Sequence, residues 1–360
     1  MEEIEAMNLG AIARGTICLG LFILGLCGGC WGIREALPFP EVALVKPKIE
    51  HFAARHDDYD TLFLGSSRIY YQIIPALFDR LAAEQGLPTR SFNAAIAGMR
   101  PPEDAYYLDY LLRSPPKKLR WVFIELAGLR TAVDRDKIGT VRAVYWHDWQ
   151  RLWMLLQRAL EVKPDVRTRK WKKQLQPRLE QLSDFYAHVP LFIQNQTNLG
   201  RATLFTSRLI YAAPRPSAPP RGTLGDDLAG WIPTGRPELM SGSELAGYEK
   251  GLAERRLEKP RRDLADSVSQ QALETMLRKI EKLGATPVLV VPPTTNKRNF
   301  FPSPERAQQT IVLDFCDLEK FPELYEHRYR LDTDHLNTEG AAVFTRTFVK
   351  TWADEARRRP

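Results

Sequence analysis

Short apolar runs alternate with amphipathic stretches in two separate parts of the chain. The first part reads strand, helix, strand, helix, strand, over 59–64, 69–85, 90–95, 103–112 and 119–126. Ile73, Leu77 and Leu81 mark the helical spacing, and Trp121, Val122, Phe123 and Ile124 form the apolar centre of the last strand. The pattern resumes with a helix over 266–283 that stops at Gly284, a strand over 286–291, a helix from Pro304, a strand over 310–315 and a closing helix over 338–353. Alternation of this kind predicts a parallel sheet covered by helices on both faces. The segment between the two parts breaks the rhythm. Residues 131–211 are basic, aromatic and of helical periodicity, and 212–236 are rich in Pro, Gly and Ser, as in a long irregular loop.

Ahead of the first strand lies a run from Gly15 to Ile33 without a charged side chain. Its length approaches the ~20 residues that a membrane-spanning helix needs. A cleaved leader would carry a shorter apolar region and a small-residue cleavage site, and an uncleaved anchor fits better. Pro38, Pro40 and Pro47 mark a linker after it. The chain therefore divides into a membrane anchor (1–35), a linker (36–57), an α/β domain made of 58–130 and 264–356, and a mostly helical insertion (131–263). Arg14 precedes the apolar run while Arg34, Lys46 and Lys48 follow it, a bias that taken alone puts the C-terminal side in the cytoplasm.

Composition narrows the classes. Charged residues make up 26% and hydrophobic residues 44%, the balance of a globular protein rather than of a disordered chain. A net charge of +7 suits an anionic surface or polymer, but no nucleic-acid motif accompanies it. Cys18, Cys27 and Cys30 cluster in or beside the apolar run and Cys316 is alone, so neither a metal-ligand spacing nor a disulfide framework follows. Within 131–211, Trp146, Trp149, Leu152, Trp153 and Leu156 form an apolar stripe and 167–173 a cationic run. Two readings compete there: a helix lying on a membrane or polyanion, or a helical cap packed on the sheet domain.

The candidate chemistry sits where the first strand ends, at Gly65-Ser66-Ser67-Arg68. A serine at the C-terminal edge of a parallel sheet, at the start of a helix, is a candidate nucleophile that needs a base. Asp332-Thr333-Asp334-His335-Leu336-Asn337 supplies one, because a carboxylate three residues before a histidine can hold the imidazole by one nitrogen while the other takes the serine proton. Backbone N–H groups of Ser67 and of Gly98, after the second strand, are the oxyanion candidates. Arg68 has two readings, a contact to an anionic substrate group or a structural salt bridge. Asp334 reads as a solvated loop residue, and Asn337 and Glu339 as caps of the last helix. His51, His56, His147, His188 and His327 show no paired spacing and read as surface or packing residues.

These blocks resemble the SGNH (GDSL-like) hydrolase superfamily. Gly65-Ser66-Ser67 is similar to its first block, Asn93 to Gly98 to its second, and Asp332-Thr333-Asp334-His335 to its last. The resemblance implies a flavodoxin-like three-layer α/β/α sandwich with a parallel sheet, an N-terminal transmembrane helix and a helical insertion. It implies Ser67 as nucleophile, His335 as base, Asp332 as its orienter, Ser67 and Gly98 as oxyanion donors, and Arg68 and Asn93 as substrate contacts. It implies no cofactor and no metal. The family's asparagine after the third strand is missing, since the chain reads Ile124-Glu125-Leu126-Ala127-Gly128, and an ionised Glu125 accepts rather than donates. With the anchor, the chain looks most like the membrane-attached branch that includes accessory proteins of teichoic-acid D-alanylation and exopolysaccharide O-acetylation. That branch implies an esterase or acyltransferase acting on an acylated glycan. It further implies a membrane-bound acyltransferase partner, and a single pass through the cytoplasmic membrane with the α/β domain outside, against the charge bias noted above. The competing reading is a non-catalytic binding or scaffold subunit that keeps the fold.

Overall fold

The computed structural model describes residues 2–37, 39–42, 44–129, 133, 140–162, 171–198, 229–234, 240–257, 261–264, 266–295 and 298–358. The chain forms two compact units, residues 1–42 with 131–217 and residues 43–130 with 218–360. Most of the loop expected over 212–236, and most of the cationic run 167–173, lie outside the described residues.

In the larger unit the strands are β1 (Thr61–Leu64), β2 (Ser91–Asn93), β3 (Trp121–Glu125), β4 (Arg261–Leu264), β5 (Thr286–Val291), β6 (Arg298–Phe301) and β7 (Ile311–Asp314). Five of them make one sheet in the order β2-β1-β3-β5-β7, every pairing parallel. The remaining two, β4 and β6, pair separately and in parallel; no alternating pattern announces them. Register places Phe63 beside Phe123, Phe123 beside Val288 and Val288 beside Ile311, so one row of side chains shares a face. Helices Pro75–Glu84 and Thr338–Arg358 cover that face. The Phe63 ring stacks on Phe123 at 4.7 Å and meets Phe78 edge-on at 4.9 Å, while Phe348 and Trp352 close over Phe123 at 5.3 and 5.5 Å. Each such ring contributes about 1.5–3 kcal/mol by leaving water. On the opposite face, helix Ser267–Lys282 packs on β5 and on helix Glu103–Leu111.

Two expectations need correcting. The single helix expected over 69–85 is two, Ser67–Tyr70 and Pro75–Glu84, because Pro75 lacks the N–H that would continue the first and instead opens the second. The stretch 36–57, expected as a linker, holds the helix Val45–Arg55, whose Phe52 ring packs 5.6 Å from Phe92 of β2. Lys48 on this helix is buried; its ammonium donates to the carbonyls of Asn93 and Ala95, each at 2.7 Å, and lies over the Tyr70 ring at 4.2 Å. Helix Gly242–Leu257, inside the expected insertion, belongs to the larger unit and buries Tyr248 and Arg255.

The smaller unit begins with the helix Glu2–Ala36. Its stretch Ala13–Ala36, of mean hydropathy 2.0, is long and apolar enough to cross a membrane. Among the described residues, helices Val141–Tyr145, Trp149–Glu161 and Trp171–Gln196 follow in the same unit. Leu155, Ala159 and Leu191 are buried between the longer two, and His147 Nε2 and His188 Nδ1 lie 2.7 Å apart in the interior. Residues far apart in sequence thus form a histidine pair that no spacing announces.

Candidate active site

The first strand runs straight into the site. All four residues of β1 are buried, and Gly65 follows them. The reason for glycine is close approach rather than backbone conformation: a Cβ there would sit 2.6 Å from Glu125 Oε2 and from Ile69 Cγ1. Ser66 caps the next helix, its hydroxyl accepting from the Arg68 N–H at 3.3 Å. Ser67 is the first helical residue, half-buried, with its N–H in the turn where helices lack internal acceptors.

The second segment is a preorganised loop. Arg330 and Leu336 form an antiparallel bridge, and Leu331 N–H donates to His335 O at 2.9 Å. Asp332 Oδ1 accepts from the N–H groups of Asp334 and His335, both at 2.8 Å, which fixes the carboxylate inside the turn. Arg330, fully buried, braces the loop by donating from Nη2 to Thr333 O at 3.1 Å, its guanidinium lying over the rings of Tyr248 and Tyr325. Gln72, also buried, joins the two segments: with its amide nitrogen donating to Arg68 O at 3.2 Å, its oxygen accepts from Leu336 N at 3.3 Å.

The two segments meet. His335 Nε2 lies 2.6 Å from Ser67 Oγ, across a sequence separation of 268. His335 Nδ1 lies 2.8 and 2.9 Å from the two oxygens of Asp332. Both of those oxygens are acceptors, so Nδ1 donates to them, and in the neutral imidazole Nε2 is then the bare nitrogen that accepts from the Ser67 hydroxyl. Tyr71 presents its ring edgewise to the imidazole at 6.0 Å. Burial pushes the Asp332 carboxyl up, but the bonds from the His335 ring and from the Asp334 and His335 N–H groups outweigh it and hold the group below its ordinary value. The arrangement puts a serine hydroxyl, an imidazole and a carboxylate in sequence, a geometry that can take a proton from an alcohol.

Gly98 sits at φ 72°, a left-handed conformation, with open space where a Cβ would lie. The bond from Ile96 N–H to Gly65 O, 3.0 Å, brings its loop beside the serine turn. Asn93 is fully buried, and its Nδ2 donates to Ile69 O at 3.0 Å and Ile73 O at 2.9 Å, satisfying carbonyls left over where the short helix ends. Of the two readings of Arg68, the salt bridge is the one found: its Nε and Nη2 reach Glu125 Oε1 at 2.9 and 2.6 Å.

Glu125, which the sequence marks only as an acceptor in place of an expected asparagine, has a structural role there. Its carboxylate accepts from Ser66 N–H at 2.6 Å and from Ser66 Oγ at 3.0 Å as well as from Arg68, so it grips the turn on both sides of the nucleophile. The signal was present as an acidic residue closing an otherwise apolar buried strand. Asn337 caps the last helix through Gly340 N–H at 2.9 Å. No family model matches the chain, and no curated protein matches it.

Proposed function

We propose that the chain is a membrane-anchored serine esterase or acyltransferase of the SGNH (GDSL-like) kind. The observation that carries this reading is the 2.6 Å approach of His335 Nε2 to Ser67 Oγ with Asp332 behind the ring. The strand order supports it: renumbered within the five-stranded sheet it reads 2-1-3-4-5, the flavodoxin-like order, with the serine at the carboxyl edge where such folds bind ligands.

In the proposed reaction Ser67 Oγ attacks the carbonyl of an ester while His335 Nε2 takes its proton. The N–H groups of Ser67 and Gly98 receive the developing oxyanion. The leaving alcohol departs with the proton from His335, and the acyl group stays on Ser67. Water or an acceptor hydroxyl, deprotonated by the same imidazole, then takes the acyl group. Glu125 closes the third strand, at the end of which the family has an asparagine donor. Loss of one such donor slows chemistry by about 10²–10³, a rate that suits transfer to a positioned acceptor better than rapid hydrolysis. The substrate class supported by the resemblance is an ester-linked acyl group on a cell-envelope polysaccharide. Under this reading Ala13–Ala36 spans the cytoplasmic membrane once, the α/β unit lies outside, and a membrane-bound acyltransferase is the partner.

The test is covalent. A fluorophosphonate probe added to the full chain in detergent should label Ser67, identified by peptide mass, and Ser67→Ala should not label. Failure of folded protein to react would sink the catalytic reading. The scaffold alternative draws on the same acid at the third-strand position, and it predicts glycan binding that Ser67→Ala leaves unchanged together with no labelling.

A further inference from the structure

The smaller unit carries an apolar surface that the proposed chemistry does not use. On helix Trp149–Glu161, Trp149, Trp153 and Leu160 are 53–69% exposed. At 3.6 residues per turn they fall within about 40° of one another. On helix Trp171–Gln196, Leu179, Tyr186 and Ile193 are 49–68% exposed and fall within a similar arc. Each helix packs on the other by a different face, through Leu155, Ala159 and Leu191, so these stripes are additional to the buried seam. Trp149 meets the Phe192 ring at 4.6 Å, so the first stripe touches the flank of the longer helix at one end. Beside its stripe the longer helix exposes polar positions, Glu180 and Ser183, so its exposed arc is apolar along one edge and polar along the other.

We infer that these two helices form a platform that lies in the headgroup region of a lipid bilayer, with both stripes facing the acyl chains. The occupant is argued from continuity with the apolar N-terminal helix in the same unit. Asn198, just past the longer helix, donates to Cys30 O at 2.7 Å, near the C-terminal end of the stretch Ala13–Ala36. Arg34 lies over the Tyr145 ring at 5.8 Å, and Phe39 packs on Tyr145 and Trp146 at 5.0 and 6.1 Å. The helix pair is therefore fixed at the level where the span leaves the hydrocarbon. Tryptophan and tyrosine are the side chains that favour that depth. From Trp149 to Gln196 the sequence has nine Lys or Arg against four Asp or Glu, a balance that favours anionic headgroups. An amphipathic helix of this make-up, too polar overall to span, lies in the interface plane.

The inference rests on Ala13–Ala36 being a membrane span, and the experiment separates the two. Nitroxide labels are placed by single cysteines at Phe22, Leu179, Tyr186, Ile193, Glu180 and Ala187 in full-length chain whose Cys18, Cys27 and Cys30 are replaced by alanine. The bond from the Asn198 side-chain amide uses only the backbone carbonyl of Cys30, and Cys316 stays because it is buried and its thiol is pushed up to about 12 by that burial. The chain is reconstituted in vesicles of neutral and anionic phospholipid, and collision with oxygen and with a water-soluble nickel chelate is compared. Labels at 179, 186 and 193 should favour oxygen several-fold over those at 180 and 187, which should favour the chelate. Equal chelate access at all five positions overturns the platform, as does protection from both reagents, the pattern that a protein partner or a second copy would give. A label at 22 open to the chelate overturns the span itself, whatever the other positions report.

Discussion

The clamp on the serine turn predicts a sign that ordinary additivity does not. Arg68 and Glu125 are joined by bonds of 2.9 and 2.6 Å, with the Glu125 side chain only 1% exposed and that of Arg68 17%. Arg68→Met leaves the carboxylate buried with only the Ser66 N–H and hydroxyl to face it. Removing one partner of a buried ion pair is destabilising by about 3–5 kcal/mol, because the other charge stays uncompensated. Glu125→Gln strands the guanidinium instead and turns an amide NH2 toward a turn that offers donors, with a similar penalty. The double variant holds no buried charge at this point, and Gln still accepts from Ser66 N–H. It should therefore be more stable than either single variant, with a coupling energy at or above the upper end of the usual ~0.5–3 kcal/mol. Because the chain has two units, a single global transition is a poor measure. Amide hydrogen exchange over residues 61–71 in the full chain reads the local free energy directly. If the double variant loses protection equal to the sum of the singles, the clamp is not an ion pair that orders the turn, and the account of Glu125 given above is wrong.

Three further outcomes follow from the same geometry. Asp332→Asn should slow fluorophosphonate labelling by about 10⁴, since an amide stabilises the wrong imidazole tautomer; a loss under tenfold would remove Asp332 from the mechanism. Asp104, in the first turn of helix Glu103–Leu111, has its carboxyl pushed up to about 7, chiefly by burial, against the backbone bond from Ala105 and helped by Glu103 and Glu125. Its folded value lies above its ordinary 3.8, so the unfolded chain loses this proton first and stability falls as pH rises from about 4 to 7, then levels. Asp104→Asn should accordingly stabilise the α/β unit at pH 8, by at most roughly 4 kcal/mol, and not at pH 4, as read from exchange of the β3 amides. His147 is held down to about 2 by burial and by the nearby Arg151 and His188, below its ordinary 6.5. A depressed histidine loses its contribution as pH falls, so protection of residues 141–161 should be constant above about pH 6.5 and decline toward pH 5; protection that held to pH 5 would contradict the buried pair.

Apolar periodicity carried the sheet well. The strand expected over 286–291 matches β5 to the residue, and the helix over 103–112 differs by one. Those segments are buried on both faces or amphipathic without competition, so pattern and tertiary structure agree. The meeting of Ser67, His335 and Asp332 was legible for a different reason. Asp332 and His335 close a local turn through backbone bonds, and only the link to Ser67 needed the fold. Where reading failed, the cause was a charge placed inside. Lys48 lies in a stretch whose prolines mark a linker, yet it is buried among backbone carbonyls. Glu125 was weighed only as a missing asparagine.

These buried charges have one position in common. Lys48 binds the carbonyls of Asn93 and Ala95, just before the loop of Gly98; Glu125 holds the N–H of Ser66; Arg330 holds the loop of Asp332 and His335. Each thus ties down the backbone of one of the three segments from which the proposed chemistry is assembled. A loop tip has few apolar contacts to fix it, and backbone groups near a reacting centre must be held without filling the space a substrate needs. A long charged side chain reaching in from the core does that, because it bonds carbonyl or N–H groups from behind. Its burial is costly unless those bonds form, which makes the loop's position and the charge's solvation the same event. A reading of sequence that assigns every charge to the surface loses these residues, and they lie where the geometry of the proposed chemistry is decided.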